Sequence, residues 1–518
     1  MEFSRKNIHM DRIKSQANSQ IVVEEDKNIP ELNPDIAYLL TDSGKVVLDL
    51  VQPEKGVTLV QGRVCYDLLY LTEEEESRLY PIHGEIPFEE RIFMEGVDLS
   101  SQVECDCVLE DLKAVLIHSR KCTIRVILNL EVKEEESYEQ EAIMDVIDSE
   151  IKMELQKKQM EILALENQRR ERITIPSELE LPANMPPVGE LIWASCVLEE
   201  FEWTTGENTI HLQGEEKVHM IYQQEDGETR FYETTLPIHE SLECEGVSTD
   251  AIVDIIRHKE ECNWHLKADY DGEDRILELQ LHLEIGMKVY SVKKLDCIMD
   301  AYGLGKEVVT IQGEGMCYQL LYKNMTKNKI AGELKCKEGD LGILQICNCQ
   351  FCPGKVEKSI EENRLVIQGF VKASLLYTTV EKDHPYACLQ GKIPFTQEIM
   401  VPGITADSCI HVDTSLEQTH ASLLDGETVS VKAVVTHKVI VLGKRKEQFL
   451  QDLELREGDR RAMEEMPSMV IYRAKDGDTI WNLGKQYGAS LDSIRTLNNL
   501  TSDTLQEGEK VLLVKELC

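Results

Sequence analysis

Apolar and polar residues alternate at period two over much of the chain. The longest such runs, 124–132 IRVILNLEV, 277–285 LELQLHLEI and 429–437 VSVKAVVTH, predict strands with one wet and one buried face. The alternation recurs in a fixed order. VTLVQGRVCYDLLY (57–70), TIHLQGEEKVHMIY (209–222) and RLVIQGFVKASLLY (364–377) each carry Gln-Gly ahead of a strand that ends in Tyr eight residues after the Gly. The pairs are Gly62 and Tyr70, Gly214 and Tyr222, Gly369 and Tyr377. Downstream, a Pro stands nine residues before a Gly three times, as Pro87 and Gly96, Pro237 and Gly246, Pro394 and Gly403. Upstream, PDIAYLLTDSGKVVLDL (34–50) has counterparts at 188–203 and 341–357. One β-rich module is repeated in tandem, and each copy is expected to be an antiparallel domain with Leu59, Ile367 and their partners facing inward. The Gly of Gln-Gly, inside a strand pattern, predicts a bulge or a close backbone approach. Gly96, Gly246 and Gly403 fall where a return segment calls for positive φ.

This pattern divides the chain into an acidic arm over 1–33, extended or partly disordered, and modules over 34–150, 151–286 and 287–442. A charged connector over 443–467 and a distinct segment over 468–518 follow. Residues 134–172 are rich in Glu, Lys, Gln and Met and read as helix by propensity alone. Ile-Met-Asp at 143–145 recurs at 298–300, where Gly303 and Gly305 follow and forbid a long helix. A short helix or turn near 138–149 and then a strand through Ile151, Met153 and Leu155 are therefore expected. VTIQGEGMCYQLLY (309–322) copies the fingerprint with one extra residue and without the downstream Pro and Gly, which predicts a strand between modules rather than a fourth module.

Composition changes the picture in one respect. The 518 residues carry a formal net charge of −39, which repels phosphate backbones and anionic lipid. Nucleic acid and membrane surfaces are thus excluded as expected partners, and no stretch is long and apolar enough to span a bilayer. The first twenty residues hold no apolar core of a secretory signal, which predicts a cytoplasmic protein, and sixteen Cys fit a reducing compartment.

Residues 470–514 break the pattern. Asp478 or Thr479 can cap a first helix with Ile480, Leu483 and Tyr487 on its apolar face, stopped by Gly488. Ser490 can cap a second, with Leu491, Ile494 and Leu497 inward, and strands at 470–474 and 510–514 complete a β-α-α-β unit. The run Tyr472…Lys475-Asp476-Gly477-Asp478-Thr479-Ile480-Trp481, with Tyr487-Gly488, Leu491, Ile494, Asn499-Leu500 and Leu505…Gly508, resembles a LysM domain. That resemblance implies a groove for N-acetylglucosamine chains. Gly477, Asp478 and Thr479 would form one wall, and Leu505, Gln506 and Gly508 the other. Glu507 stands where the family usually has Pro. Trp481, at the helix start, is either partly exposed, a candidate aromatic anchor for a protein partner, or packed on the sheet.

The modules, with their QG…LLY strands and the NIPELNPDI entry, look like SPOCS domains. SPOCS repeats followed by a LysM resemble the clostridial spore-coat morphogenetic proteins of the SpoIVA-interacting protein L type. The fold class implied is mainly β: three tandem antiparallel SPOCS-type modules followed by a small LysM domain. The resemblance also implies a mother-cell protein at the forespore surface. Its partners would be the ATPase of the coat basement layer, gripped through LysM, and other coat proteins.

No nucleophile elbow, phosphate loop or zinc-protease motif is present, so no catalytic residue and no cofactor are assigned. Cys347, Cys349 and Cys352, with Cys336 upstream, are the densest thiol cluster, but no second pair or His is spaced to close a zinc site, and no metal site is assigned. Glu73–Glu76 are read as a solvated hairpin tip, and the lone His118, His219 and His437 as ordinary strand residues. Two functions remain: a non-enzymatic coat-assembly scaffold, or a peptidoglycan-binding protein displayed at a wall.

Overall fold

The computed structural model describes residues 1–73, 78–149, 151–304, 306–456 and 467–515. The expected alternation is realised as burial. Along one strand Cys122, Ile124, Val126, Leu128, Leu130 and Val132 are all at most 1% exposed, and every second residue between them faces outward.

Strand pairing groups the chain into three equivalent units. The first holds β1 (Glu2–Asn28), β2 (Ile36–Glu54), β3 (Val57–Thr72), β4 (Leu79–Phe93), β5 (Gln102–His118) and β6 (Lys121–Asp148). They form two three-stranded antiparallel sheets, β2-β3-β4 and β1-β6-β5. The second unit repeats this with β7 (Met153–Glu180), β8 (Glu190–Gly206), β9 (Thr209–Gln223), β10 (Thr229–Glu243), β11 (Ile252–Ala268) and β12 (Asp274–Gly303). The third has β13 (Glu307–Lys335), β14 (Gln345–Pro353), β15 (Glu357–Glu361), β16 (Arg364–Thr378), β17 (Tyr386–Met400), β18 (Cys409–Leu423) and β19 (Thr428–Arg456). In each unit the two sheets pack apolar faces together, in one cluster in the first and third units and in two in the second; in the first, Val64, Tyr66 and Ile86 of one sheet meet Ile124, Val126 and Leu128 of the other.

The sequence fingerprints now have structural causes. The terminal Tyr of each copy is a latch across its sheet. Tyr70 donates to the carbonyl of Pro34 at 3.0 Å, Tyr222 to that of Pro186 at 3.1 Å and Tyr377 to that of Leu341 at 3.0 Å. Gln-Gly marks a close approach. A Cβ on Gly62 would meet Phe88 Cζ at 2.7 Å, and one on Gly369 would meet Phe395 Cζ at 2.7 Å; both rings belong to the directly paired residue of the next strand. The opposite neighbour is irregular at this point in every unit. β2 is bulged between Leu48 and Leu50, β8 between Glu199 and Glu202, and in the third unit the strand breaks into β14 and β15. Gly96, Gly246 and Gly403 have φ of 86°, 87° and 81°, and Pro87, Pro237 and Pro394 lie on edge strands, where no ladder donor is needed.

Four expectations are corrected. The 1–33 arm is largely β1, paired with β6 from Glu2 to Asn28. The helix or turn near 138–149 is strand, because β6 runs unbroken to Asp148, and residue 151 precedes β7 rather than lying in it. The cause is pairing. Basic residues of β1 stand against acidic ones of β6, with Arg5 on Glu141 at 2.6 Å, His9 against Glu139 at 3.3 Å and Lys14 on Glu134 at 3.0 Å. The connector over 443–467 is β19 as far as Arg456, paired with β13, and residues 457–466 lie outside the described residues. Finally, the module edges at 150, 286 and 442 fall within or beside the long strands; 309–322 is strand, as expected, and belongs to β13, the counterpart of β1 and β7. Of the acidic run 73–76, residues 74–76 lie outside the described residues.

The six long strands, β1, β6, β7, β12, β13 and β19, have 27 to 30 residues each. That length is several times an ordinary strand, and the excess leaves each sandwich as a two-stranded ribbon. The three ribbons pack together. Ile8, Met10 and Ala142 of the first meet Met160, Ile162, Leu295 and Cys297 of the second and Cys317 and Phe449 of the third in one buried cluster. The sheets meet again at a second shared cluster that includes Leu40, Leu69, Trp193, Ile221 and Leu376. An ionic network reinforces the seam between the first two units, where buried Lys288 donates to Glu135 at 2.5 Å and Asp11 at 3.2 Å, and Tyr290 donates to Asp11 at 3.0 Å.

Residues 467–515 form the expected β-α-α-β unit, with β20 (Met469–Arg473), α1 (Ile480–Tyr487), α2 (Leu491–Asn498) and β21 (Lys510–Val514). Ile480, Leu483, Ile494 and Val511 are its buried core. Leu497, expected inward, is 47% exposed. Among the described residues no helix is long and apolar enough to cross a membrane.

Candidate functional site

The groove residues of the C-terminal unit lie on two loops stitched to each other. Thr479 caps α1, its hydroxyl accepting from the Asn482 N–H at 3.2 Å, and Gly488 ends the helix at φ 64°. Ser490 caps α2 in the same way, accepting from the Ser493 N–H at 3.3 Å. Asp478 accepts from the Lys475 N–H at 2.8 Å and tightens the first loop. Between the loops, the Leu505 N–H donates to the Asp478 carbonyl at 3.0 Å and the Ile480 N–H to the Asp503 carbonyl at 2.9 Å. Thr479 and Thr504 form an isolated antiparallel bridge.

The second wall closes on itself, with the Gln506 N–H donating to Glu509 at 3.0 Å and the Gly508 N–H to the Ala474 carbonyl at 2.8 Å. Gly477 and Gly508 have φ of 86° and 85°, so both turns rest on glycine. Gly477, Gln506 and Glu507 are exposed, Asp478, Thr479 and Gly508 half-buried, and Leu505 forms the apolar floor. A hydrogen bond to Asp478 pushes the Tyr472 phenol up beside this loop. The six groove residues named from sequence are thus adjacent, on a pre-formed surface of backbone polar groups around an apolar floor. Such a surface suits a hydroxyl-rich chain or a peptide.

Trp481 is elsewhere. It is 9% exposed and stands edge-on against Tyr302 of the second unit, with ring centres 5.0 Å apart and planes at 69°. Its Nε1 donates to Asp300 at 3.0 Å. The expectation of a partly exposed anchor is corrected: its indole is covered by the chain's own ribbon end. Lys485 also donates to Asp300, at 2.6 and 2.7 Å, Tyr302 donates to the Ala489 carbonyl at 2.8 Å, and the Leu491 N–H reaches Glu154 at 3.3 Å. Gly484 is required here, because a Cβ would meet the Tyr302 hydroxyl at 2.3 Å. This dock uses the α1 face and the α1–α2 turn and leaves both groove walls uncovered.

Sequence reasoning missed Asp300, Tyr302 and Glu154. The repeated Ile-Met-Asp was their available signal, since Asp300 is the second Asp of that repeat.

The thiol cluster does not converge. Cys349 enters the core of the third unit, Cys347 joins the inter-unit cluster and Cys352 is exposed. Of the His residues, His219 pairs with Glu233 at 3.1 Å, and buried His437 shares a hydrogen bond with Thr414 at 3.0 Å.

Comparison with known families agrees with this geometry. The family model described as SipL, SPOCS domain, matches residues 35–117 and 342–424, and the LysM domain model matches residues 472–513. The SPOCS matches span β2 into β5 and β14 to the end of β18, leaving out the long ribbon strands. The middle unit repeats the strand order without a match of its own. No curated protein and no solved structure matches the chain. Both domain types are binding or scaffold modules rather than catalytic ones, and they are the domains of a sporulation-related protein with a LysM of the peptidoglycan-binding type. The chain thus carries two SPOCS domains and a C-terminal LysM domain.

Proposed function

We propose that the protein is a non-enzymatic spore-coat morphogenetic scaffold. In this reading its LysM groove grips the ATPase of the coat basement layer in the mother-cell cytosol, and the SPOCS units recruit further coat proteins at the forespore surface. The observation that carries the reading is the dock. Trp481, Lys485 and Ala489 fasten LysM to Asp300 and Tyr302, while Gly477, Gln506 and Glu507 stay open. A binding module fixed in orientation on a large multi-sheet body suits an adaptor that joins two assemblies. Glu507 adds a negative charge beside a groove that takes neutral sugar in the LysM family, which favours a protein ligand with basic groups.

The second reading is peptidoglycan binding, favoured by the intact groove of backbone polar groups. Affinity capture from sporulating cells distinguishes the two. Gln506→Trp, which fills the groove without touching the dock, is expected to abolish ATPase capture, and the unaltered protein is expected to leave purified peptidoglycan unbound. If the unaltered protein sediments with peptidoglycan, loses this with Gln506→Trp and captures no ATPase, the peptidoglycan reading replaces the scaffold reading.

A further inference from the structure

The three fingerprint copies differ at one core position. Two residues after the Gly stand Val64, Glu216 and Val371, and all three are 0% exposed. Two units bury a methyl group here, whereas the middle unit buries a carboxylate. An acid in a valine's place is costly unless something compensates it. Among the described residues no lysine or arginine is bonded to it. One of its oxygens accepts from the Ser177 hydroxyl at 2.8 Å, and the other faces two thiols, Cys196 Sγ at 2.5 Å and Cys262 Sγ at 3.6 Å. The three ligand atoms lie within 4.8 Å of one another, and they form the only such convergence of metal-type donors among the described residues.

We propose that Cys196, Glu216 and Cys262 form a binding site for a thiophilic divalent cation of the zinc class, built between the two sheets of the middle unit. Two thiolates and a carboxylate are the donor set of such an ion. Three supports are independent of the donors themselves. Ser177, on β7, holds the second carboxylate oxygen and so aims the first at the sulfurs, as outer partners of metal ligands do. Cys196 comes from β8 and Cys262 from β11, so the ion would join the two sheets at a point where the other units rely on apolar contact. Lys45, of the first unit, donates to the Cys196 carbonyl at 3.4 Å and pairs with Glu260 at 3.7 Å, which places a cation beside a site whose two thiolates and one carboxylate keep a net negative charge even with a divalent ion bound.

Tetrahedral coordination requires Sγ of Cys196 and the carboxylate oxygen to part by about 1 Å, a side-chain rotation, because sulfur and oxygen on one zinc lie about 3.5 Å apart. Cys262 is only half-buried, so the fourth position opens toward solvent and takes water. Binding releases two thiol protons, and a disulfide between the same cysteines would leave the buried carboxylate unexplained.

The test uses the full chain, reduced and stripped of metal, titrated with Co²⁺ and then Zn²⁺. One Co²⁺ per chain is expected, with sulfur-to-cobalt charge-transfer absorption and the visible bands of a tetrahedral site, displaced by Zn²⁺. Glu216→Val restores the residue of the other two units; it is expected to keep the fold and abolish the bands. Cys262→Ser, a milder change, is expected to abolish the charge transfer from that thiolate, and Ser177→Ala to weaken binding about 10–100-fold. The proposal is overturned if no stoichiometric tetrahedral Co²⁺ appears. It is equally overturned if the bands survive both Glu216→Val and Cys262→Ser, which would place the ion on other thiols. Recovery of a Cys196–Cys262 disulfide from a chain that takes no metal when reduced would also overturn it.

Discussion

At the scale of single residues, the fold is held at repeated points by groups that must be satisfied because they are dry. The latch tyrosines are the clearest. Tyr222 is fully buried, and its hydroxyl spans 36 positions of sequence to the Pro186 carbonyl. Tyr222→Phe leaves that carbonyl unpaired and is expected to destabilise the chain by about 1–2 kcal/mol, read as a lower urea midpoint at unchanged slope. His437 titrates where proteins are handled. Burial pushes its imidazole down to about 4, with Asp413 opposing weakly. The folded state therefore resists a proton that the unfolded chain accepts near pH 6.5. The contribution of His437 is intact above that pH and is lost as pH falls toward 4, to the extent of about 3 kcal/mol. Urea midpoints measured from pH 7 to pH 4 are expected to fall less for His437→Gln than for the unaltered protein; equal slopes would reject the assignment. The latch residues were legible as a spacing, because a repeated Tyr needs a repeated reason. Their acceptors were not, since no local pattern marks a carbonyl.

At the scale of elements, the strands were readable wherever one face is wet, as in 124–132, where alternation and burial coincide. Residues 138–149 were misread because the determinant is another strand. The glutamates that favour helix in isolation stand opposite Arg5, His9, Arg12 and Lys14 of β1, some 120 or more residues away. Each exposed pair contributes little alone, but the full backbone ladder decides the conformation. Leu497 was misread for a related reason: helical periodicity marks a face, and in so small a unit part of that face has nothing to pack against. The Gln-Gly element carries its own test. In Gly369→Ala the new Cβ meets the Phe395 ring at 2.7 Å and the Lys355 carbonyl at 3.0 Å, and overpacking of this kind costs about 1–3 kcal/mol. Phe395→Leu removes the ring, so the double variant should recover part of the loss. Strict additivity in a double-mutant cycle would show that the ring is not what glycine accommodates.

At the scale of the whole molecule, three sandwiches are joined through ribbons, and LysM is fixed to the end of the middle one. This level was least legible, because the ribbons meet in a cluster that holds residues as far apart as Ile8, Met160 and Phe449, positions that no local period relates. The seam and the dock rest on different physics. Lys288 sits between Glu135 and Asp11, and although burial works against its charge, the two carboxylates outweigh that and hold it protonated. Lys288→Ala leaves two carboxylates without their cation and is expected to cost about 3–5 kcal/mol.

The dock instead combines one aromatic pair with hydrogen bonds that involve Asp300, Tyr302 and Glu154, and its loss should not unfold either side, because the LysM core of Ile480, Leu483, Ile494 and Val511 makes no use of it. Tyr302→Ala removes the ring facing Trp481 and the donor to the Ala489 carbonyl, together worth about 3 kcal/mol, which is over 100-fold in the docking equilibrium. Spin labels on an exposed α2 position and on β12 should then report a broad distance distribution in place of a narrow one, with the unfolding midpoint of the β-sheet body nearly unchanged. Tyr302→Phe separates the two contributions, since it keeps the ring and loses only the donor, and should broaden the distribution less. If the distribution stays narrow in Tyr302→Ala, LysM is held by something other than the ribbon end, and the fixed orientation on which the scaffold reading rests has another source.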